Sequence, residues 1–164
     1  MDYLQFENSD STLTVESKLE RYNDYLKRNQ GLFPKHAFEF ASAIWHYNTK
    51  DSRCPHDSWL KSFEIIENDA GNRDASRCID IRICLLGAFH DGEISIRYNR
   101  VRSYSLDLLS DDTFDTRSHG DWIIDEVRLS HAGYVLHEIS FWLKANWLIE
   151  AEEIEYEGCP FDSE

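Results

Sequence analysis

The hydrophobic pattern of this chain changes its period at about Ser58, and no other sequence feature restricts the fold as strongly. Before this point, apolar residues recur about every 3.6 residues, as on one face of a helix. After it, they alternate about every 2 residues, as in half-buried strands. We therefore predict an α+β fold in a single domain, residues 1–164, with a helical segment at 14–47 and an antiparallel sheet at 59–156.

Two helices are predicted in the helical segment. The first covers about residues 14–30 and ends near Gly31, because glycine readily adopts the left-handed conformation found at helix ends. The second starts at Pro34, which suits a first helical turn, and runs to about Tyr47. Residues 48–58 are aperiodic and rich in turn formers, so they are predicted to link the helices to the sheet.

The sheet is predicted to contain about six or seven strands in one curved meander, resembling a half-barrel. Asp91 and Gly92 favour a tight hairpin between two of these strands. Several strands have apolar residues on both faces, so both faces of the sheet are expected to be covered. The predicted strands are residues 59–66, 79–85, 94–98, 103–109, 122–129, 134–141 and 147–156.

The charge balance argues against nucleic acids and membranes as partners. The chain has 31 acidic and 17 basic residues, which gives a formal net charge of -14. Phosphate backbones and anionic lipids repel such a chain. The acidic surface therefore serves either solubility or the binding of a basic protein.

The N-terminal sequence and the cysteines favour a cytoplasmic protein. Residues 1–7 lack the basic and apolar regions of a secretory signal. No run of about 18 apolar residues, the length of a transmembrane helix, occurs in the sequence. The 4 cysteines form no C-x-x-C pair and are too sparse for a disulfide scaffold, so reduced thiols are expected.

The reactive side chains fall in three loops that border predicted strands. The catalytic candidates are Cys54, His90, His119 and Asp121, with Cys54 as nucleophile and either His90 or His119 as its base. The candidate metal ligands are His56, His90 and His119. Their spacing matches no established zinc motif, so no metal or other cofactor is expected. Asp and Gly also occur in such loops because they form turns.

The remaining histidines are predicted to have structural roles or none. His137 alternates with apolar residues of a predicted strand, so we expect a core histidine whose hydrogen bonds are satisfied. His36 and His46 lie on the less apolar side of the second predicted helix. We therefore expect both to face solvent.

Several short stretches resemble a family of small, acidic, uncharacterised bacterial proteins. The resemblance spans about residues 38–156 and implies no activity, so it assigns no functional residue. A looser likeness, in composition, is to immunity proteins of bacterial toxin systems. The stretches begin at Trp45 (Trp-His-Tyr), Arg53 (Arg-Cys-Pro-His-Asp), Phe89 (Phe-His-Asp-Gly), His119 (His-Gly-Asp-Trp) and Val135 (Val-Leu-His-Glu).

The function favoured by these observations is a non-enzymatic module that binds a basic protein, such as an immunity-type antidote to a basic toxin. One alternative is a metal- or cysteine-dependent hydrolase at the Cys54, His90 and His119 loops. Another is a small-ligand binder that uses the half-barrel. In the favoured function, carboxylates steer the partner toward aromatic anchors. The predicted binding residues are Trp142, Trp147, Glu150, Glu152, Glu153, Glu155 and Tyr156.

Overall fold

The helices precede the strands, as the change in hydrophobic period predicts. The protein is described by a computed structural model that covers residues 1–4, 14–68, 76–108, 118–142 and 144–160. Two α-helices lie near the N-terminus, and all eight strands in these residues are antiparallel to their neighbours. The predicted α+β class is confirmed.

Helix α1 spans Val15–Asn29 and helix α2 spans Lys35–Ala41. The Thr14 side chain caps α1 by accepting a hydrogen bond from the Ser17 backbone N–H at 3.2 Å. The second helix is shorter than predicted. The Ser42 hydroxyl donates to the Phe38 carbonyl at 2.6 Å, and the chain continues as a series of turns instead of a helix.

The first six predicted strands agree with the observed strands to within two residues at each end, and residue 109, at the end of the fourth prediction, lies outside the described residues. The seventh predicted strand, 147–156, is two strands separated at Glu152. The strands are β1 (Trp59–Asn68), β2 (Cys78–Leu86), β3 (Gly92–Asn99), β4 (Ser103–Asp107), β5 (Trp122–Leu129), β6 (Val135–Phe141), β7 (Asn146–Ala151) and β8 (Glu153–Pro160).

These strands form two sheets of four, so the prediction of one curved meander is not confirmed. The strand orders are β1-β2-β3-β8 and β4-β7-β6-β5. Strand pairs β3–β8 and β4–β7 are successive parts of one long ribbon that bends from the first sheet to the second. Each of the two chain segments in this ribbon is interrupted at the bend. There, the Glu152 N–H donates to the Asn99 carbonyl at 3.1 Å, and Arg100 has a left-handed φ of 54°.

The two sheets also meet at a second place, beside the start of β1. The Asp57 N–H donates to the Trp122 carbonyl at 2.8 Å, and the Trp122 N–H donates to the Ser58 carbonyl at 3.1 Å. The chain just before β1 is thereby hydrogen-bonded to β5. This junction fixes the 54–58 segment, which carries two of the predicted site residues, Cys54 and His56.

The core lies between the sheets and beneath the helices. The Phe63 and Trp147 rings, from different sheets, contact each other with centroids 5.0 Å apart. Tyr22 attaches α1 to β5, because its hydroxyl donates to the Val127 carbonyl at 2.8 Å and accepts from the Val127 N–H at 3.0 Å. Neither of the described α-helices is long and apolar enough to cross a membrane.

Candidate functional site

A pocket of about 550 Å³ opens between the start of α1, the 46–57 segment and the start of β5. Most of its exposed lining is apolar. The fully buried Glu126 carboxylate accepts a hydrogen bond from the Leu4 N–H at 2.9 Å, which holds Leu4 in the pocket wall. The apolar and aromatic lining residues are Leu4, Val15, Leu19, Tyr47, Trp122, Ile123, Ile124 and Trp142.

A bulge in β5 shapes one side of the pocket. The register of β5 against β6 shifts between Trp122 and Ile124. Consecutive residues of a regular strand point to opposite faces, but a bulge redirects side chains locally. Ile123 and Ile124 both line the pocket as a result.

One polar group in the lining of the pocket is the buried Asp125 carboxylate. Its Oδ1 accepts from the Trp122 indole N–H at 3.0 Å. Its Oδ2 lies 2.8 Å from His46 Nε2 and 2.9 Å from His137 Nε2. The Tyr98 hydroxyl lies 2.7 Å from His137 Nδ1. Asp125, His46, His137 and Tyr98 thus form one buried network, which we call the Asp125 network.

The hydrogen-bond partners fix the protons of this network. His46 Nδ1 lies 2.8 Å from the Phe40 carbonyl, which can only accept, so Nδ1 carries a proton. Burial raises the pKa of Asp125, but His46 and His137 outweigh burial and hold that pKa well below its usual range. His46 Nε2 therefore donates to an ionised carboxylate, and His46 is an imidazolium cation.

His137 also has both ring nitrogens hydrogen-bonded. Its Nε2 donates to the ionised Asp125 carboxylate, and its Nδ1 shares a hydrogen bond with the Tyr98 hydroxyl, which can either donate or accept. Asp125 and His46 form a buried ion pair, and both carboxylate oxygens of Asp125 and all four ring nitrogens of His46 and His137 are hydrogen-bonded. A buried ion pair of this kind resists the loss of either partner, because the remaining charge would be left without compensation.

Cys54 lies at the pocket as a buried thiol. It is 2% exposed, and its Sγ donates to the His46 carbonyl at 2.9 Å. Burial raises the pKa of Cys54 to about 11, so the thiol stays protonated at neutral pH. A protonated thiol is a poor nucleophile.

The pocket brings together some of the predicted catalytic and metal-binding residues but not all of them. Cys54, His56 and Asp121 line it, whereas His90 and His119 do not. The His90 ring packs on Trp59, and the His119 ring packs on aromatic core residues. Burial lowers the pKa of His119. Within the described ranges, no three His, Cys, Asp or Glu side chains are arranged to hold a metal ion.

The predicted aromatic anchors have different environments. Trp142 is 67% exposed and lines the pocket. Trp147 is only 2% exposed, and its ring belongs to the core between the sheets, so no partner can contact it without unfolding. The Tyr156 hydroxyl donates to the Arg53 carbonyl at 2.8 Å, and its ring contacts Trp45.

The predicted carboxylates at the C-terminal end, which we call the acidic edge, already have partners within the chain. Glu152 pairs with Arg100 at 2.8 Å and with Arg102 at 2.6 Å. Glu153 accepts from the Ala37 N–H of α2 at 2.9 Å. The other two are Glu150, which accepts from the Ser103 hydroxyl, and Glu155, which accepts from the Asn99 amide.

The prediction for His137 is confirmed, and the prediction for His46 is wrong. His137 is a buried histidine with both ring nitrogens hydrogen-bonded. His46 is 1% exposed because α2 ends early and the following turns direct its ring inward, toward Asp125. Asp125 was not among the predicted site residues. The available signal was an acidic residue within the apolar strand 122–129.

Comparison of the chain with protein-family models, with curated proteins and with solved structures found no match. The site is therefore interpreted from its own geometry. That geometry combines an apolar pocket, a charge-compensated buried network beneath it and a protonated thiol at its side.

Proposed function

We propose that this protein binds a small, largely apolar molecule in the pocket. The observation that carries the proposal is the cavity of about 550 Å³ with its mainly apolar lining and few polar groups. Ligand-binding pockets are typically about 300–1,000 Å³ in volume and have this composition. This proposal corresponds to the small-ligand alternative of the sequence analysis, although the pocket lies outside any half-barrel.

The hydrogen bonds around the pocket favour a preformed site. The Tyr47 hydroxyl donates to the Asp125 carbonyl at 3.0 Å, which joins the segment after α2 to β5. The Asp57 N–H bond to Trp122 joins the opposite wall to the same strand. A preformed pocket needs little ordering when a ligand enters, so more of the contact free energy appears as affinity.

The same contacts favour binding over catalysis. Both ring nitrogens of His46 and both carboxylate oxygens of Asp125 are occupied by hydrogen bonds within the chain. Neither group can therefore exchange a proton with a ligand without breaking the network. The hydrolase alternative gains no support, because Cys54 is a protonated thiol and its two candidate bases lie elsewhere.

The test is calorimetric titration with 4-phenylbutanol, a neutral molecule with an apolar body. We expect saturable binding at one site. In the Val15→Trp variant a large ring would occupy the pocket mouth, and we expect affinity to fall at least about tenfold. The matched control is Leu32→Trp, at an exposed position away from the pocket, which should bind normally. Binding that is absent, or unaffected by Val15→Trp, would contradict the proposal.

A second candidate function is the non-enzymatic binding of a basic protein, including an immunity-type antidote role. The net charge of -14 and the exposed aromatic side chains, among them Trp59, Phe89 and Trp142, favour it. Its test is the salt dependence of association with a basic partner, because electrostatic steering weakens as salt is added. An association rate that does not change with salt would eliminate this candidate.

A further inference from the structure

We propose that the ligand of the pocket carries a positive charge next to its apolar body, and that Asp57, Asp121 and Trp142 bind that charge. We call these three residues the acidic rim. The inference rests on the proposed function, since it names the chemical class of the ligand that the same pocket takes. It is carried by the charge and exposure of the residues around the opening.

Negative charge exceeds positive charge among the outer lining residues. Asp57 and Asp121 are carboxylates, Lys18 is the lysine of the lining, and the His56 ring lies beside Asp57. The Asp125 carboxylate below is hydrogen-bonded to His46, His137 and Trp122, so it is not available to a ligand. The chain as a whole has a net charge of -14, which further favours the approach of a cation.

Backbone hydrogen bonds hold the residues of the acidic rim beside the start of β5. Asp57 has a left-handed φ of 63° and donates its N–H to the Trp122 carbonyl at 2.8 Å. The Trp142 N–H donates to the Asp121 carbonyl at 2.9 Å, which holds these two residues side by side. Carboxylates that are positioned in advance bind a cation with less ordering cost than mobile ones.

The two kinds of side chain in the acidic rim suit an organic cation. Asp57 Oδ2 lies 3.1 Å from His56 Nδ1, but the side chain is 58% exposed, so Oδ1 can reach a charged group at the pocket mouth. Trp142 presents an exposed indole, and the face of an aromatic ring attracts ammonium groups. A bare metal ion is a poorer match, since Ca²⁺ and Mg²⁺ require about six or more oxygen ligands and this mouth is largely apolar.

The test compares three probes that share one skeleton: 4-phenylbutylamine, 4-phenylbutanol and 4-phenylbutyrate. Calorimetry at low salt should give the amine about a tenfold higher affinity than the alcohol, with the carboxylate weakest. Added salt should reduce the preference for the amine and leave the alcohol unchanged. Equal affinities for amine and alcohol, or a preference for the carboxylate, would overturn this inference while the proposed function stands. If none of the probes binds, both fall.

Variants locate the charge recognition. The double variant Asp57→Asn/Asp121→Asn should lose the preference for the amine and keep its affinity for the alcohol. Asparagine also tolerates the left-handed backbone at position 57, so folding should be preserved. The matched control, Asp24→Asn/Asp107→Asn, removes the same charge at exposed positions outside the pocket lining. If the control weakens amine binding equally, general electrostatics and not the acidic rim is responsible, and the inference is overturned.

Discussion

The pocket and the acidic edge differ in how their polar groups are used. At the acidic edge, four carboxylates close together in sequence each bind a partner in the same chain, so their charge is largely committed to holding α2 and the sheet bend in place. At the pocket, residues far apart in sequence surround an apolar space. A run of charges in a sequence therefore predicts a binding surface less well than a cavity does.

The largest expected effect is on the Asp125 network. Asp125→Asn removes the anion and leaves the His46 cation buried without its partner, so we expect a loss of about 3–5 kcal/mol of unfolding free energy. Urea denaturation followed by tryptophan fluorescence measures it. Asp121→Asn, at the partly exposed rim, is the control and should change stability little. A stable Asp125→Asn protein would show that the network does not support the pocket.

The pH dependence of stability should report the same carboxylate. The pKa of Asp125 is lowered in the folded protein, so its stabilisation is complete above the usual Asp pKa of about 3.9 and is lost progressively as pH falls below it. Glu138 also has a lowered pKa, so the wild type has other acid-sensitive groups. The difference between wild type and Asp125→Asn should therefore shrink below about pH 4. A constant difference would contradict the assignment.

The next effect concerns Cys54. Because its pKa is about 11 and it is buried, iodoacetamide should modify it at least about tenfold more slowly in the folded protein than in urea. Mass spectrometry of peptides from timed samples measures the rate. Cys78, which is more exposed, is the internal control. Rapid modification of Cys54 in the folded protein would revive the hydrolase alternative.

The smallest effect is expected at the acidic edge. Changing its four residues, Glu150, Glu152, Glu153 and Glu155, to Gln should leave 4-phenylbutylamine binding at about 0.15 M ionic strength within about twofold of wild type, because salt screens exposed charges that are distant from a site. Gln retains a carbonyl oxygen that can accept from the Ala37 N–H, so α2 should remain in place. A loss of amine binding as large as that of the Asp57→Asn/Asp121→Asn variant would remove the distinction between the two regions.

The sequence predicted the local structure well and the three-dimensional arrangement less well. Alternating patterns placed β5 at residues 122–129, because hydrophobic period is a local property. The division into two sheets depends on the bend at Glu152 and Arg100. There, two strand segments that are far apart in the sequence are interrupted at the same place. No local pattern marks such a pair of breaks.

The candidate site was predicted in part. Cys54, His56, Asp121 and Trp142 were identified because reactive and aromatic residues in loops are conspicuous, and all four line the pocket. The Asp125 network was not predicted, because its members lie in the turns that follow α2 and on three different strands. Their association depends on tertiary packing, which the sequence pattern does not contain.

The most direct test of ligand binding in the pocket is an NMR titration of ¹⁵N-labelled protein with 4-phenylbutanol. We predict that the largest shift changes occur at Val15, Ile123 and Ile124 and at the indole N–H of Trp142, which surround the cavity. Residues of the acidic edge should change little. Shift changes centred on the acidic edge, or spread evenly over the protein, would contradict the claim that this pocket is the binding site.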